Sequence, residues 1–124
     1  MLLYTRDHTW VRAEGNRVTI GVSDFAQQEL GEIAYVELPA TGTRVARGDV
    51  TCTVDSLKSS SEIYAPVSGT VAEVNSVLAS EEGCALINKD PLGNGWLFVL
   101  EMSDPAELQG LLAEKDYTAY IRGA

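Results

Sequence analysis

Residues 50–67 read VTCTVDSLKSSSEIYAPV, and this stretch decides the fold. Its first part alternates strictly: Val50, Cys52 and Val54 face one side and polar residues face the other, as in a half-buried β-strand. A run of small polar residues around Lys58 interrupts the alternation, which resumes a few residues later. Two strands joined by a short polar break predict a β-hairpin with Lys58 near its apex.

Strand signals also dominate the rest of the chain. Five further strands are predicted, at residues 10–13, 17–22, 33–38, 70–74 and 96–102. The first two flank a Gly-Asn turn and form a second hairpin. The last is apolar on both faces, which is typical of a strand covered on both sides. The pattern therefore predicts a mainly β protein.

Short helices flank these strands. Ser23 is placed as the N-cap of a helix over residues 24–30. A C-terminal helical segment is predicted at about 104–121, with Asp104 as its N-cap and Glu107 closing a capping box.

A sequence echo brackets the Lys58 hairpin. Residues 39–43 and 66–70 share the pattern P-x-x-G-T, and valine follows each within two residues. Two similar turns indicate either a quasi-symmetric sheet or ordinary turn chemistry repeated by chance. The residues alone leave both interpretations open.

Composition limits the possible functions. The 124 residues fit one domain, and 45% of them are apolar, enough to build a core. The 18 acidic and 9 basic side chains give a net charge of −9, which disfavours binding to nucleic acid and to anionic membranes. The N-terminus is not apolar enough for a signal peptide, and no stretch approaches the length of a membrane span. We expect a soluble protein.

Few side chains offer reactive chemistry. Cys52, Cys84 and the single histidine, His8, are too few for a structural zinc site. A single disulfide stays open as an alternative, but reduced cysteines are expected. His8 belongs to no recognisable nucleophile–base arrangement. Residues 93–95 lack the lysine and hydroxyl residue of a phosphate loop and are interpreted as a turn. The sequence therefore predicts no catalytic residue and no metal site.

Lys58 is the remaining candidate, one of three lysines together with Lys89 and Lys115. A lysine at a hairpin tip is usually a solvated charge that discourages edge-to-edge pairing. A carrier protein instead needs a primary amine that is long, exposed and rigidly presented, so that a ligase can acylate it and several enzymes can reach the attached group. The residue type and its position alone do not separate these interpretations.

The stretch around Lys58 resembles a known family. Residues 55–69, DSLKSSSEIYAPVSG, are similar to the lipoylation hairpin of the glycine cleavage system H proteins, approximately E-S-V-K-x-x-S-D-x-x-S/A-P-x-S-G. Further matching segments follow in family order, at residues 4–11, 23–31, 36–39, 75–78, 86–96 and 103–105. The resemblance covers nearly the whole chain. It implies a barrel-sandwich hybrid (lipoyl/biotinyl-like) fold with short flanking helices, and a single lipoyl-carrier domain over residues 1–124.

This resemblance implies a lipoate attached to Lys58 and a carrier role without catalysis. The implied partners are a PLP-dependent glycine decarboxylase that loads an aminomethyl group, an aminomethyltransferase that passes the one-carbon unit to tetrahydrofolate, and a dihydrolipoamide dehydrogenase that reoxidises the dithiol. A lipoate ligase or lipoyltransferase would modify Lys58. The resemblance also implies a monomer, in the mitochondrial matrix after presequence removal if eukaryotic, and otherwise in the bacterial cytoplasm.

The resemblance further implies a surface cleft that shields the loaded arm from water. By position, the cleft would involve Asp7, His8 and Thr9 together with Glu62, while Asp55 and Glu62 would also serve ligase recognition. The family usually has a glutamate where this chain has Thr9. We therefore expect Asp7 or Glu62 to supply the carboxylate near the carried amine.

Several alternatives stay open. Biotin carriers share the architecture but have methionine beside the lysine, whereas Leu57 and Ser59 flank Lys58. Lipoyl domains of the 2-oxoacid dehydrogenases resemble the hairpin but lack the N-terminal His-x-Trp segment and the C-terminal helix. Two more alternatives are a lipoyl-relay adaptor, which would donate its lipoyl group to other enzymes, and an unmodified structural homologue.

Overall fold

The computed structural model describes residues 2–123, and the chain over this range is mainly β, as predicted. The strands are β1 (Leu2–Tyr4), β2 (Thr9–Glu14), β3 (Arg17–Val22), β4 (Ile33–Glu37), β5 (Arg44–Val45), β6 (Val50–Ser56), β7 (Ser60–Tyr64), β8 (Gly69–Val74), β9 (Phe98–Met102) and β10 (Leu112–Ala113). The α-helices are α1 (Asp24–Leu30), α2 (Leu86–Lys89) and α3 (Glu114–Gly123). Short 3-10 helices cover Ser76–Ala79, Gly83–Ala85 and Pro105–Gly110.

The strands form two antiparallel sheets. A seven-stranded sheet has the order β10-β1-β2-β3-β9-β8-β5, and a three-stranded sheet has the order β4-β6-β7. One apolar cluster takes side chains from both sheets, including Ile20 and Leu100 from the larger and Val54 and Ile63 from the smaller. Each such large side chain stabilises the fold by about 1.5–3 kcal/mol when fully buried. The sheets are therefore held together by this shared core.

Strand β9 is the best covered strand of the larger sheet. It lies between β3 and β8, and Phe98, Val99 and Leu100 are all buried, although successive side chains point to opposite faces. This confirms the prediction of a strand covered on both sides. The strand begins two residues later than predicted.

Helix α1 has the predicted bounds because local interactions determine both of its ends. The Ser23 hydroxyl accepts a hydrogen bond from the Ala26 N–H at 3.1 Å, and the Gly31 N–H donates to the Gln27 carbonyl at 3.0 Å. Gly31 has a φ of 80°, a left-handed conformation that favours glycine. Leu30 is buried in the core and holds the end of the helix against it.

The alternation predicted for β6 holds for two of its three apolar residues. Cys52 and Val54 are buried, but Val50 is 51% exposed. The pairing of β6 with β7 shifts register between Val50 and Cys52, so the extra residue turns the Val50 side chain to the outside. The prediction for Val50 was wrong because a bulge reverses the inward–outward pattern.

The predicted C-terminal helical segment is divided into three elements. A 3-10 helix comes first, β10 then pairs with β1, and α3 follows. Asp104 caps the first element, since its carboxylate accepts from the Ala106 N–H at 3.2 Å. Glu107 does not close the predicted capping box. Its carboxylate accepts instead from the Ser68 N–H at 2.7 Å and from the Ser68 hydroxyl at 3.2 Å.

The two P-x-x-G-T turns lie next to each other. The strands that follow them, β5 and β8, pair antiparallel, with Arg44 opposite Thr70. The Gly42 N–H also donates to the Val71 carbonyl at 2.7 Å. This contact between equivalent segments favours the quasi-symmetric interpretation of the sequence echo.

The cysteines are free and buried. Burial raises the pKa of the Cys52 thiol to about 12, so it stays protonated and non-nucleophilic at neutral pH. Within residues 2–123, no group of His, Cys, Asp and Glu side chains is arranged to hold a metal ion. In the same range, no helix combines the length and the hydrophobicity that crossing a membrane requires.

Candidate functional site

The turn between β6 and β7, residues 57–59, presents Lys58 at the apex of the hairpin. Ser56 closes this turn. Its N–H donates to the Ser59 carbonyl at 2.8 Å, and its hydroxyl accepts from the N–H groups of Lys58 and Ser59 at 3.3 and 3.0 Å. The Lys58 side chain is exposed, and none of the ion pairs among residues 2–123 involves it. The backbone at the tip is ordered by hydrogen bonds while the amine stays available.

The tip is also supported from outside the hairpin. The Leu57 N–H donates to the carbonyl of Glu32 at 3.0 Å, in the connection between α1 and β4. The Lys58 side chain lies against the neighbouring Gly31, because a Cβ placed on that glycine would be 3.4 Å from Lys58 Cε. The outer part of the lysine side chain therefore lies close to the glycine that ends α1.

A recess of about 230 Å³, here called the hairpin recess, lies beside this tip between β7, α1 and the chain before β2. Its apolar lining consists of Val22, Phe25, Ala26, Leu30 and Ile63. Its polar lining consists of Asp7, His8, Glu29, Ser59 and Ser61. The recess can accept an apolar group on one side and a hydrogen-bonding or cationic group on the other.

The structure brings only some of the predicted cleft residues into the hairpin recess. Asp7 and His8 line it, whereas Thr9 is buried inside β2. Glu62 is exposed on the other face of β7, because side chains alternate along a strand and its neighbours on both sides line the recess. Asp55 accepts a hydrogen bond from the Ser60 hydroxyl and also lies outside the recess.

Glu29 lines the recess although no sequence pattern pointed to it. It lies on an exposed position of α1, where a carboxylate is ordinary for a soluble helix. Only the packing of α1 beside β7 brings it to the recess. Of the two carboxylates expected near the carried amine, Asp7 lines the recess and Glu62 does not, and Glu29 is a second carboxylate in the lining.

His8 is held in the recess wall by a hydrogen-bonded network. It has a φ of 67°, the only non-glycine residue with positive φ among residues 2–123. Its Nδ1 lies 2.9 Å from the Tyr117 hydroxyl, which lies 2.8 Å from the Ser23 hydroxyl. Burial raises the pKa of Tyr117, so its hydroxyl stays protonated and able to donate. The Tyr117 ring stacks on Tyr4 at 4.2 Å, which ties α3 to the larger sheet.

Replacing Tyr117 with phenylalanine is expected to lower the free energy of unfolding by about 1–2 kcal/mol, because two hydrogen bonds are lost while the ring stack remains. Urea denaturation measures this difference. Tyr64→Phe is the matched control, since no hydrogen bond involves the Tyr64 hydroxyl among the described residues. Equal losses in the two variants would contradict a role for the network.

Comparison with known proteins assigns the chain to a family. The family model described as "Glycine cleavage H-protein" matches residues 2–124. The chain belongs to this family. It is 48% identical over 118 residues to the glycine cleavage system H protein of Xanthobacter autotrophicus, covering 95% of this chain and 93% of that protein. It is 44% identical over 120 residues to the H protein of Thermotoga maritima, covering 97% and 95%.

A solved structure of the family extends the likeness to the fold. The crystal structure of a glycine cleavage system H protein from Mycobacterium marinum has a TM-score of 0.86 with this chain, at 32% identity. The match covers 99% of this chain and 97% of that one. It confirms the barrel-sandwich fold. The family match along the chain also argues against a biotin carrier and against a lipoyl domain of a 2-oxoacid dehydrogenase.

H proteins are carrier components of the glycine cleavage system and carry lipoate. The residues around Lys58 fit such a group. Lys58 provides an exposed amine without an ion-pair partner in the described range, and the adjacent recess offers Phe25, Leu30 and Ile63 as an apolar lining. The chemistry of the site is therefore compatible with acylation of this lysine.

Proposed function

We propose that this protein is the lipoyl carrier of a glycine cleavage system, with lipoate attached through an amide to Lys58. One observation carries the proposal: Lys58 is exposed at the apex of a hydrogen-bonded hairpin turn, directly beside an apolar recess. The family assignment supports the same role. The protein itself is proposed to be non-catalytic and to act as one carrier domain over residues 1–124.

A bound lipoyl group supplies a dithiolane that can accept and release an aminomethyl group and undergo reversible reduction. The protein's own residues have other tasks. The hairpin fixes the position of Lys58, so an attached arm is anchored at a defined point. Phe25, Leu30 and Ile63 provide a surface from which water is excluded. Asp7 and Glu29 place carboxylates at the polar side of the same recess, where they can accept hydrogen bonds from a cationic amine.

Asp7→Asn and Glu29→Gln are each expected to make the loaded carrier lose its one-carbon cargo to water about 1.4- to fivefold faster. Exposed charge pairs of this kind contribute about 0.2–1 kcal/mol. The measurement is ammonia release from the loaded protein in buffer without partner enzymes. Glu62→Gln is the matched control, because Glu62 lies on the opposite face of β7. An acceleration by Glu62→Gln that equals the other two would contradict this assignment of the recess.

We further propose four partners: a PLP-dependent glycine decarboxylase, an aminomethyltransferase, a dihydrolipoamide dehydrogenase, and a lipoate ligase or lipoyltransferase. The net charge of −9 favours basic docking surfaces on these enzymes. Asp55 and Glu62, both outside the recess and close to Lys58 in sequence, are proposed for recognition by the ligase. A location in the bacterial cytoplasm is proposed because the relatives from Xanthobacter autotrophicus and Thermotoga maritima are bacterial, and the protein is proposed to be a monomer.

The decisive experiment is the exchange of labelled bicarbonate with glycine, using purified glycine decarboxylase. Lipoylated protein is expected to support exchange, and unlipoylated protein is not. A lipoylated protein that supports no exchange but donates its lipoyl group to other enzymes would establish the relay adaptor instead. Failure of a lipoate ligase to modify the protein would establish the unmodified structural homologue.

A further inference from the structure

The hairpin tip is supported by a short backbone segment, here called the strap, which comprises residues 31–33: the two residues between α1 and β4 and Ile33, which begins β4 and pairs with Ser56. The bond from the Leu57 N–H to the Glu32 carbonyl, 3.0 Å long, is the only hydrogen bond that turn residues 57–59 make outside their own hairpin in the described part of the chain. Lys58 Cε approaches Gly31 in the same strap. The strap therefore meets the tip at two points, the turn backbone at Leu57 and the outer part of the Lys58 side chain.

The side chain of Asn88 holds the strap by hydrogen bonds. Asn88 lies on α2, and its Nδ2 donates to the Gly31 carbonyl at 2.8 Å and to Gln27 Oε1 at 3.0 Å. Its Oδ1 accepts from the Ile33 N–H at 2.9 Å. The amide thus bridges the first and last residues of the strap and connects both to α1. Each of its two N–H groups and its oxygen has a partner.

We propose that Asn88 is a positioning residue for Lys58. Its hydrogen bonds fix the strap in the position in which Glu32 and Gly31 meet the hairpin tip. This rests on the proposed function in one respect, namely that Lys58 is the residue to be acylated. The hydrogen bonds of Asn88 go to the strap and to Gln27 and none goes to Lys58, so it acts through the strap.

An asparagine side chain suits this role because it carries both a donor and an acceptor. The strap presents an acceptor at residue 31 and a donor at residue 33, and one side chain must supply both a donor and an acceptor to meet them. An aspartate could accept from Ile33 but would place negative charge against the carbonyl of Gly31 and the Oε1 of Gln27. Serine carries a single hydroxyl that is too short to reach all three partners.

Asn75 offers a matched control. Its Nδ2 donates to the carbonyls of Asn94 and Trp96 at 2.9 and 2.8 Å, so it also holds two residues of one short backbone segment through a largely buried amide. None of its hydrogen bonds involves the strap or the hairpin. Replacement of Asn75 therefore measures the general cost of losing such a bridge.

The first test compares Asn88→Ser with Asn75→Ser in unmodified full-length protein, by amide hydrogen exchange at Leu57. Asn88→Ser is expected to accelerate exchange of the Leu57 N–H at least tenfold relative to the amide of Val54 in the same hairpin. Asn75→Ser is expected to leave that ratio unchanged. An unchanged ratio in Asn88→Ser would overturn the proposal, whatever the variant's overall stability.

The second test is acylation by a lipoate ligase. Asn88→Ser is expected to raise the KM for the protein about three- to tenfold with kcat unchanged, because the ligase must order the tip before reaction. Gln27→Ala removes one of the three Asn88 contacts. It is expected to change the Leu57 exchange ratio and the KM in the same direction as Asn88→Ser, but by less. This variant replaces Asn88→Ser if Asn88→Ser does not fold. Equal KM values for wild type and both variants would overturn the proposal. If wild-type Lys58 is not acylated at all, the proposed function fails. The amide hydrogen exchange at Leu57 still decides the role of Asn88 at the tip.

Discussion

Lys58→Arg is expected to abolish lipoylation while leaving the fold intact. Arginine keeps the positive charge and much of the length, but its delocalised guanidinium stays protonated and cannot act as the amine nucleophile. The measurement is the intact mass of protein purified from cells supplied with lipoate. Wild type is expected to carry a lipoyl-sized increment that the variant lacks entirely. The free energy of unfolding is expected to change by less than about 0.5 kcal/mol, since Lys58 is exposed.

The other two lysines serve as controls for this result. Lys89 ends α2 and Lys115 lies in the first turn of α3, so both are exposed on helices rather than at a hairpin apex. Lys89→Arg and Lys115→Arg are expected to keep the increment in full. An increment that survives in Lys58→Arg and maps to either helix would show that the attachment site was wrongly assigned.

Trp10→Ala is expected to reduce the free energy of unfolding by about 3–5 kcal/mol, because replacing a large core aromatic with alanine leaves a cavity. The Trp10 side chain is fully buried, and its ring packs against the backbone of Gly21, where a Cβ would lie only 2.6 Å from the ring. Its Nε1–H also donates to the Pro91 carbonyl at 2.8 Å. Since domains of this size are typically stable by about 5–15 kcal/mol, much of the stability would be lost.

Chemical denaturation measures this loss, and Tyr35→Ala supplies the control. Tyr35 is 54% exposed on β4, so its truncation is expected to change the free energy of unfolding by less than about 0.5 kcal/mol. A small effect of Trp10→Ala, comparable to that of Tyr35→Ala, would contradict the close packing of the Trp10 ring against Gly21. Because β2 begins at Thr9, directly after the two recess residues Asp7 and His8, partial unfolding at Trp10 is also expected to open the hairpin recess.

Local signals made several elements predictable. Helix α1 was predicted to the residue because its N-cap hydroxyl and its terminal glycine act within one turn of the chain. The Lys58 hairpin followed from period-two alternation on each side of a polar break. The short strands β1, β5 and β10 were missed, since two or three residues show no periodicity. They exist only because a neighbouring strand pairs with them.

The C-terminal segment shows the limit of such reasoning. Its capping residues and apolar spacing predicted one helical segment, but pairing of β10 with β1 interrupts it after the 3-10 helix. Glu107 lies where a capping box would need it and yet bonds to Ser68, a residue 39 positions away. Long-range partners outweighed the local preference in both cases.

The candidate site also contains residues that the sequence predicted and residues that it did not. Asp7 and His8 were expected from a motif and do line the recess, but Glu62 was expected by its distance from Lys58 and faces the other side. Glu29 carried no sequence signal, because an exposed glutamate on a helix is common. Asn88 belonged to a matching segment, but no sequence pattern connected it with the hairpin.

By itself, the sequence determined the mainly β architecture, the Lys58 hairpin and the family resemblance, because alternation, turn chemistry and motif order are properties of neighbouring residues. Only the tertiary structure decided which side chains share the hairpin recess and which residue supports the strap. These relations depend on how α1, α2 and β7 pack around a common core. Contacts between residues tens of positions apart, such as Asn88 with Ile33, arise from that packing and leave no periodic trace in the chain.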